Sequence, residues 1–165
     1  MASRKHKTYL VEHHQWVPSR REEVFAFFSD ARNLEELTPP WLRFSILTPG
    51  PISIARGSTI RYQLHWHGLP LNWNTEITRW DPPHSFEDVQ LSGPYRLWRH
   101  MHRFEPVADG TFMTDIVRYA LPFGFVGRAM HRLVVRRNIE EIFEYRFDRI
   151  QTLFGGDRVA KPAKL

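Results

Sequence analysis

The stretch Trp98-Arg99-His100-Met101-His102-Arg103-Phe104 holds the residue types best able to do chemistry in this chain. Read as a strand, it places Trp98, His100, His102 and Phe104 on one face and Arg99, Met101 and Arg103 on the other. The two arginines mark the wetter face, so both imidazoles are expected to point inward. By the same alternation Phe86, Asp88 and Gln90 share a face, and so do Met113, Asp115, Val117 and Tyr119. With those faces also inward, one wall collects Asp88, Gln90, His100, His102, Asp115 and Tyr119 among aromatic rings.

Such a wall admits several chemistries. Its carboxylates can orient the histidines in a buried hydrogen-bond network that stiffens the sheet. Its few polar groups can hook an otherwise apolar ligand. A histidine held by a carboxylate can also act as general acid or base, with His100, His102 and Tyr119 as the candidates. A two-histidine, one-carboxylate metal site fits the His-x-His spacing, but spacing alone is a weak signal. Arg146 nearby would oppose a bound cation, so no metal and no cofactor is expected. His13-His14 and His65-x-His67 are weaker still: the first two point to opposite faces, and the second two lie on the polar face of their strand.

Arg146 falls inside the apolar stripe of a helix, between Ile142, Phe143 and Ile150. A charge there needs a partner, and Asp115, Asp88 or an anionic ligand group would supply one. Snorkelling to solvent is the alternative. A third feature is Leu121-Pro122-Phe123-Gly124-Phe125-Val126-Gly127, followed by Arg128, Arg132, Arg136 and Arg137. It reads as a glycine-hinged lid over a cavity mouth, or as a docking segment for an anionic membrane through Phe123, Phe125 and Arg128. No phosphate cradle, nucleophile elbow or zinc-helix motif occurs.

These residues need elements to hold them. Thr8–Trp16 reads as a first strand. Ser19 with Glu22 has capping-box spacing ahead of a helix carrying Val24, Phe25, Phe27 and Phe28. A second short helix spans Ala31–Leu37 and stops at Thr38-Pro39-Pro40. Strands then follow over Phe44–Leu47, Thr59–His67, Asn72–Trp80, Phe86–Leu91, Tyr95–Phe104 and Thr111–Tyr119, with Asp109-Gly110 as a hairpin signal. A long helix over Gly127–Phe154 presents Val135, Ile139, Ile142, Phe143, Ile150 and Leu153 as one stripe. Met130, Leu133 and Val134 lie out of phase with it, so the helix is expected to bend or change partner near Val134-Val135. Short turns between strands predict an antiparallel meander, with the long helix as its cover.

Length and composition agree. The chain has 165 residues, 42% hydrophobic and 14% aromatic, including 6 Trp and 12 Phe. That fits one α+β domain over 1–165, with a core over 8–154 and a loose tail over 157–165. The absence of cysteine excludes disulfides and thiolate chemistry. A net charge of +5 is read as a mildly basic surface, and no nucleic-acid motif accompanies it. The basic N-terminus lacks a signal-peptide core, and the protein is expected in the cytoplasm.

The order strand, two helices, six strands, long helix resembles the START-related (SRPBCC) helix-grip superfamily. The segments Trp80-Asp81-Pro82-Pro83, Phe86-Glu87-Asp88-Val89-Gln90, Gly93-Pro94-Tyr95, Trp98–Phe104, Asp115–Tyr119 and Phe143-Glu144-Tyr145-Arg146 resemble its bacterial ligand-binding, polyketide cyclase/dehydrase-like branch. The resemblance implies a helix-grip fold, β-α-α-β(6)-α, with an internal cavity. It implies a lipid-, polyketide- or quinone-like ligand, and it implies no particular reaction. Candidate ligand contacts are Tyr62, Trp73, Asp88, Gln90, Trp98, His100, His102, Asp115, Tyr119, Ile142, Phe143 and Arg146. A cyclase, aromatase or dehydratase activity is the alternative expectation. Either a monomer or a homodimer is compatible.

Overall fold

Alternating inward and outward side chains dominate the middle of the chain, and there it forms strands. The computed structural model describes residues 7–155; the expected tail lies outside the described residues, as does the side chain of Arg128. Strand β1 (Tyr9–Val17) leads to helices α1 (Arg21–Phe28) and α2 (Asn33–Leu37) and a single 3-10 turn, Pro40–Leu42. Six strands follow: β2 (Ser45–Ile46), β3 (Thr59–Trp66), β4 (Leu69–Asp81), β5 (Ser85–Ser92), β6 (Leu97–Val107) and β7 (Gly110–Ala120). The chain then enters α3 (Gly124–Met130), a π-helical turn (His131–Val135) and α4 (Arg136–Phe154).

The seven strands make one antiparallel sheet in the order β1-β7-β6-β5-β4-β3-β2. The meander thus returns its first strand beside its last. Register shifts between Asn74/Thr75 and between Ile77/Arg79 interrupt the β4–β5 ladder. Irregularities of this kind bend a strand and raise its twist, which helps the sheet curve around its contents. The long C-terminal helix covers the concave side, resting on β1 and α2.

The interior has three zones along the strands. At one end α1 and α2 plug the sheet, and Val24, Phe25 and Phe28 pack with Val17, Phe86, Phe104, Met113 and Ile150. At the other end Val117, Tyr119, Ile139 and Phe143 form a second apolar cluster, joined by Trp98 and Tyr95. Between them, the inner face of β6 turns from Phe104 to His102 and His100, and that of β7 turns from Met113 to Asp115. A polar band therefore crosses a face that is apolar on both sides.

Several local expectations shift. Ser19 is not the cap of α1; the helix starts at Arg21, and its N-cap, Arg20, makes no side-chain cap. The Ser19 carbonyl instead accepts a 2.7 Å hydrogen bond from Thr111 Oγ1, which ties the helix entrance to β7. The second helix is shorter than expected, because Ala31 is drawn into the apolar core before the helix begins. Leu153 leaves the apolar stripe and is exposed. The phase change in the long helix takes the form of the π-helical turn over His131–Val135, which inserts a residue and rotates the stripe. Leu133, within that turn, faces solvent, while Ile139 and Phe143 beyond it are buried.

Candidate functional site

Strand pairing brings the polar wall together before any side-chain geometry is considered. Asp88 on β5 lies directly opposite His100 on β6. His102 on β6 lies directly opposite Asp115 on β7. The four side chains therefore form a closed quadrilateral in which each histidine faces both carboxylates. His100 Nε2 donates to Asp115 Oδ1 at 3.0 Å, and its Nδ1 is 3.8 Å from Asp88 Oδ2. His102 Nε2 is 3.4 Å from the same Asp88 oxygen. His102 Nδ1 comes within 2.6 Å of Asp115 Oδ1, but at an angle too bent for a formed hydrogen bond, so it is a charge contact. The two rings lie 3.8 Å apart between centroids.

Neighbours fix this arrangement. Thr75 Oγ1 on β4 is within 3.3 Å of Asp88 Oδ1 and 3.1 Å of the Val89 carbonyl. Phe86 stacks on His102 at 4.2 Å, and Phe143 meets the His100 ring edge-on. Arg146 comes down from α4 with its Nε 3.9 Å from Asp115 Oδ2, and its guanidinium lies 5.1 Å from the Phe28 ring centre. So the structure places Arg146 against Asp115 rather than Asp88, in a half-buried position.

These contacts set the charges. Burial raises the Asp115 carboxyl, but the Arg146 and His102 charges and the imidazole hydrogen bonds outweigh it and hold the group well below the usual range. Asp88 behaves likewise: burial pushes it up, and His102 and His100 bring it below normal. Burial and the neighbouring His102 charge push His100 down to about 4. Burial also opposes charging His102, but two carboxylates at close range raise it above the ordinary value. The carboxylates thus stay ionised and His100 stays neutral, while His102 takes a proton more readily than a free imidazole does.

Beside it lies an aromatic group. Trp73 on β4 meets Tyr62 at 5.8 Å, Tyr95 at 5.5 Å and Trp98 at 5.3 Å. Tyr119 closes the group against Tyr95 and Trp98. Burial pushes the phenols of Tyr62 and Tyr95 upward, and that of Tyr119 to about 12, so all three remain neutral O–H groups. Trp73 is only 7% exposed, yet its indole N–H has no acceptor among the described residues. Tyr62, Tyr95 and Trp98 face the concave side and still keep solvent-accessible surface.

Gln90 points to the same region but is engaged: its Nε2 donates to the Tyr95 carbonyl at 2.6 Å, and the Tyr95 N–H donates back to its Oε1 at 3.3 Å. Gly93 makes room for this clamp, since a Cβ there would lie 2.6 Å from the Gln90 oxygen. Ile142 is half-buried and Phe143 buried on α4. A small cavity of about 50 Å³ lies between β1, β7 and α4 and reaches Asp115 and Arg146. It has room for water only.

Three residues of the site were not singled out from sequence. Tyr95 sits in a turn, where strand alternation has no say. Thr75 falls within the expected strand Asn72–Trp80 and carries no signal of its own there. His131 accepts a 2.8 Å hydrogen bond from the Tyr119 hydroxyl and stacks on Tyr9 at 3.5 Å; it became legible only once the π-helical turn rotated it inward.

An antiparallel sheet gripping a C-terminal helix, with an aromatic and ionisable concave wall, defines a helix-grip protein of the SRPBCC superfamily. The chain belongs to the family described as polyketide cyclase / dehydrase and lipid transport, whose profile it matches over residues 17–143. Similar solved structures include a protein from Chromobacterium violaceum (13% identity, 90% of this chain and 99% of that one, TM-score 0.70). They also include the Zhui aromatase/cyclase from Streptomyces sp. R1128 (17% identity, 89% and 96%, TM-score 0.65) and major latex-like protein 151 from Panax ginseng (11% identity, 89% and 97%, TM-score 0.65). At these identities the likeness shows the fold alone. No curated protein matches the chain in sequence. Among the described residues no helix is long and apolar enough to cross a membrane.

Proposed function

We propose that the protein binds a small hydrophobic molecule, lipid-, polyketide- or quinone-like, between the concave face of the sheet and α4. One observation carries this reading: the Trp73 indole N–H is buried without an acceptor in the middle of an aromatic wall. A buried unpaired donor costs about 1–3 kcal/mol, and a carbonyl or ether oxygen of a bound molecule would remove that cost. Tyr62, Tyr95, Trp98 and Tyr119 would enclose the apolar part of that ligand, and the Asp88 carboxylate is close enough to Tyr62 for its charge to act on the phenol. The family membership supports a hydrophobic ligand. Phe123, Phe125 and the π-helical turn form the entrance in this reading, and the same segment would touch an anionic membrane when the ligand is exchanged.

Native mass spectrometry of the purified protein, together with titration by anilinonaphthalene sulfonate, tests the proposal. A retained apolar mass, or saturable probe binding that Trp73→Phe weakens while the fold is kept, is the expected result. A protein that carries nothing and whose probe binding ignores Trp73 would overturn it.

A second reading has its own observation. His100 has its tautomer set by Asp115, which leaves its Nδ1 bare, and that is the state a general base needs. On this reading the protein is a cyclase- or dehydratase-type enzyme with His100 and His102 as proton carriers. Their replacement would abolish turnover of a polyketide-like substrate and leave its binding intact. Loss of binding and turnover together would argue for the carrier.

A further inference from the structure

The quadrilateral has a direction. Asp115 Oδ1 faces one nitrogen of each ring, Nε2 of His100 and Nδ1 of His102. A neutral imidazole has one N–H; His100 already gives its own to Asp115, and a small turn of the His102 ring would do the same for its Nδ1, which stands 2.6 Å from that oxygen. The two remaining nitrogens, His100 Nδ1 and His102 Nε2, then carry lone pairs, and both are aimed at Asp88 Oδ2. Three lone-pair donors thus converge from two adjacent strands, all within 4.8 Å of one another. A proton on His102 can settle this convergence, and so can a metal cation standing among the three. We propose that Asp88, His100 and His102 form a binding site for one divalent first-row transition ion of the zinc, cobalt or iron group, with Asp115 as its outer carboxylate.

The distances suit this. A coordination shell with bonds of about 2.1 Å spaces its ligand atoms by roughly 3–3.5 Å. His102 Nε2 and Asp88 Oδ2 already stand 3.4 Å apart, His100 Nδ1 stands 3.8 Å from the same oxygen, and all three lie within 4.8 Å of one another, so binding an ion would draw the two rings together. A histidine that ligates a metal usually gives its other N–H to a carboxylate, and Asp115 occupies that position for both rings. Two imidazoles with one carboxylate match the soft-to-borderline ions better than calcium or magnesium. Arg146 repels a positive charge at His102, but Asp115 holds its guanidinium. It lies on Oδ2 of Asp115, the oxygen turned away from the histidines. Among the described residues Asp88, the proposed ligand, has the two histidines and Thr75 as its close polar partners, so a cation there meets an anion without a permanent counter-charge. The Asp88 side chain keeps 17% of its surface accessible, against 8% and 4% for the histidines, so the ligand set opens on the Asp88 side toward the aromatic wall. The ion would keep its free coordination positions there, where a carbonyl or enolate oxygen could reach them.

This inference does not need the ligand reading. Metal binding is measured on the protein alone, and the hydrophobic-ligand test can fail or succeed separately. The experiment is a titration of chelator-stripped protein with Co²⁺ and then Zn²⁺, read by ligand-field absorption, calorimetry and melting temperature. One Co²⁺ per chain with intense visible bands, displaced by Zn²⁺, and a Zn²⁺-dependent rise in Tm are expected. Asp88→Asn and His102→Gln should lose the bands, and Asp115→Asn should weaken binding by about 10- to 100-fold while keeping the ligand set. Because such variants can fail to fold, the wild-type chain supplies a second readout. Co²⁺ should move the resonances of two imidazole N–H protons, those facing Asp115. The double variant His65→Gln/His67→Gln should bind as the wild type does. No binding by the stripped wild type would overturn the site. So would binding that the His65/His67 variant abolishes, or shifted resonances belonging to other histidines.

Discussion

The wall of β5–β7 and the segment from Phe123 to Leu133 break the rule of polar outside, apolar inside in opposite senses. In the wall, four ionisable side chains are drawn into the sheet between two apolar clusters. In the segment, Phe123, Phe125 and Leu133 are 82%, 74% and 74% exposed, and Phe123 adopts a left-handed backbone with φ 65°. The wall settles its violation internally, since each charge has an opposite charge within 4 Å. The segment leaves its rings uncovered. A bulky residue in the left-handed region costs on the order of 1 kcal/mol; the Phe123 carbonyl accepts from the Val126 and Gly127 N–H groups, but its ring stays in solvent. The difference teaches where each region finds its stability: the wall within the fold, and the segment from whatever comes to it.

The comparison is broken most sharply at Asp115. Asp115→Ala leaves His100, His102 and Arg146 without their shared partner, and a loss of about 3–5 kcal/mol is expected, read by denaturant unfolding. A loss below about 1 kcal/mol would mean that the wall is not mutually dependent. Arg146→Met should cost less, about 1–3 kcal/mol, because Asp115 keeps its histidines and the methionine keeps the packing on Phe28. Unchanged stability in Arg146→Met would show the ion pair to be dispensable.

The legibility of the two regions differs for a physical reason. The wall is made of strands, and strand alternation is strict. His100 and His102 therefore follow inward from their spacing and the arginines on the opposite face, Asp115 follows only once its face is taken as inward, and the meander order sets which strands are neighbours. Spacing could not give register. That Asp88 sits opposite His100 and His102 opposite Asp115 depends on the turn lengths and on the β4–β5 irregularities, which have no sequence signature this simple. The helix-grip order was legible because each element is long and strongly patterned. The helix entrance was less so. Met130, Leu133 and Val134 showed that the stripe breaks, but a bend and a π-helical turn predict the same pattern, and only the turn brings His131 to Tyr119. Ser19 had the spacing of a cap, and tertiary bonding from Thr111 to its carbonyl took precedence.

In the exposed segment, Phe123→Gly sharpens the contrast. Glycine takes a positive φ without strain, so stability should stay constant or rise by up to about 1 kcal/mol. On the entrance reading the same change, combined with Phe125→Ser, should reduce binding to anionic vesicles, an effect that high salt would also produce in the wild type. Equal vesicle binding by wild type and double variant would remove the membrane role and leave the lid.

The smallest effect is expected where the two regions meet, at His131. Its pKa is lowered, first by burial and then by the positive charges of Arg136 and Lys7. Tyr9 stacks on its ring, Tyr119 donates to it from β7, and Arg132 shares the crevice it lines. The folded state therefore prefers the neutral ring, whereas the unfolded chain protonates near pH 6.5. Between the lowered folded pKa and that value the unfolded state binds more proton, so stability should fall as pH drops below about 6.5. The partly exposed position keeps the effect small. Chemical denaturation at a series of pH values, comparing wild type with His131→Gln, isolates it from the other histidines: the difference between the two should shrink steadily toward acid. A difference independent of pH would mean that folding leaves the His131 pKa unchanged, and one that grows toward acid would mean that the fold favours the charged ring.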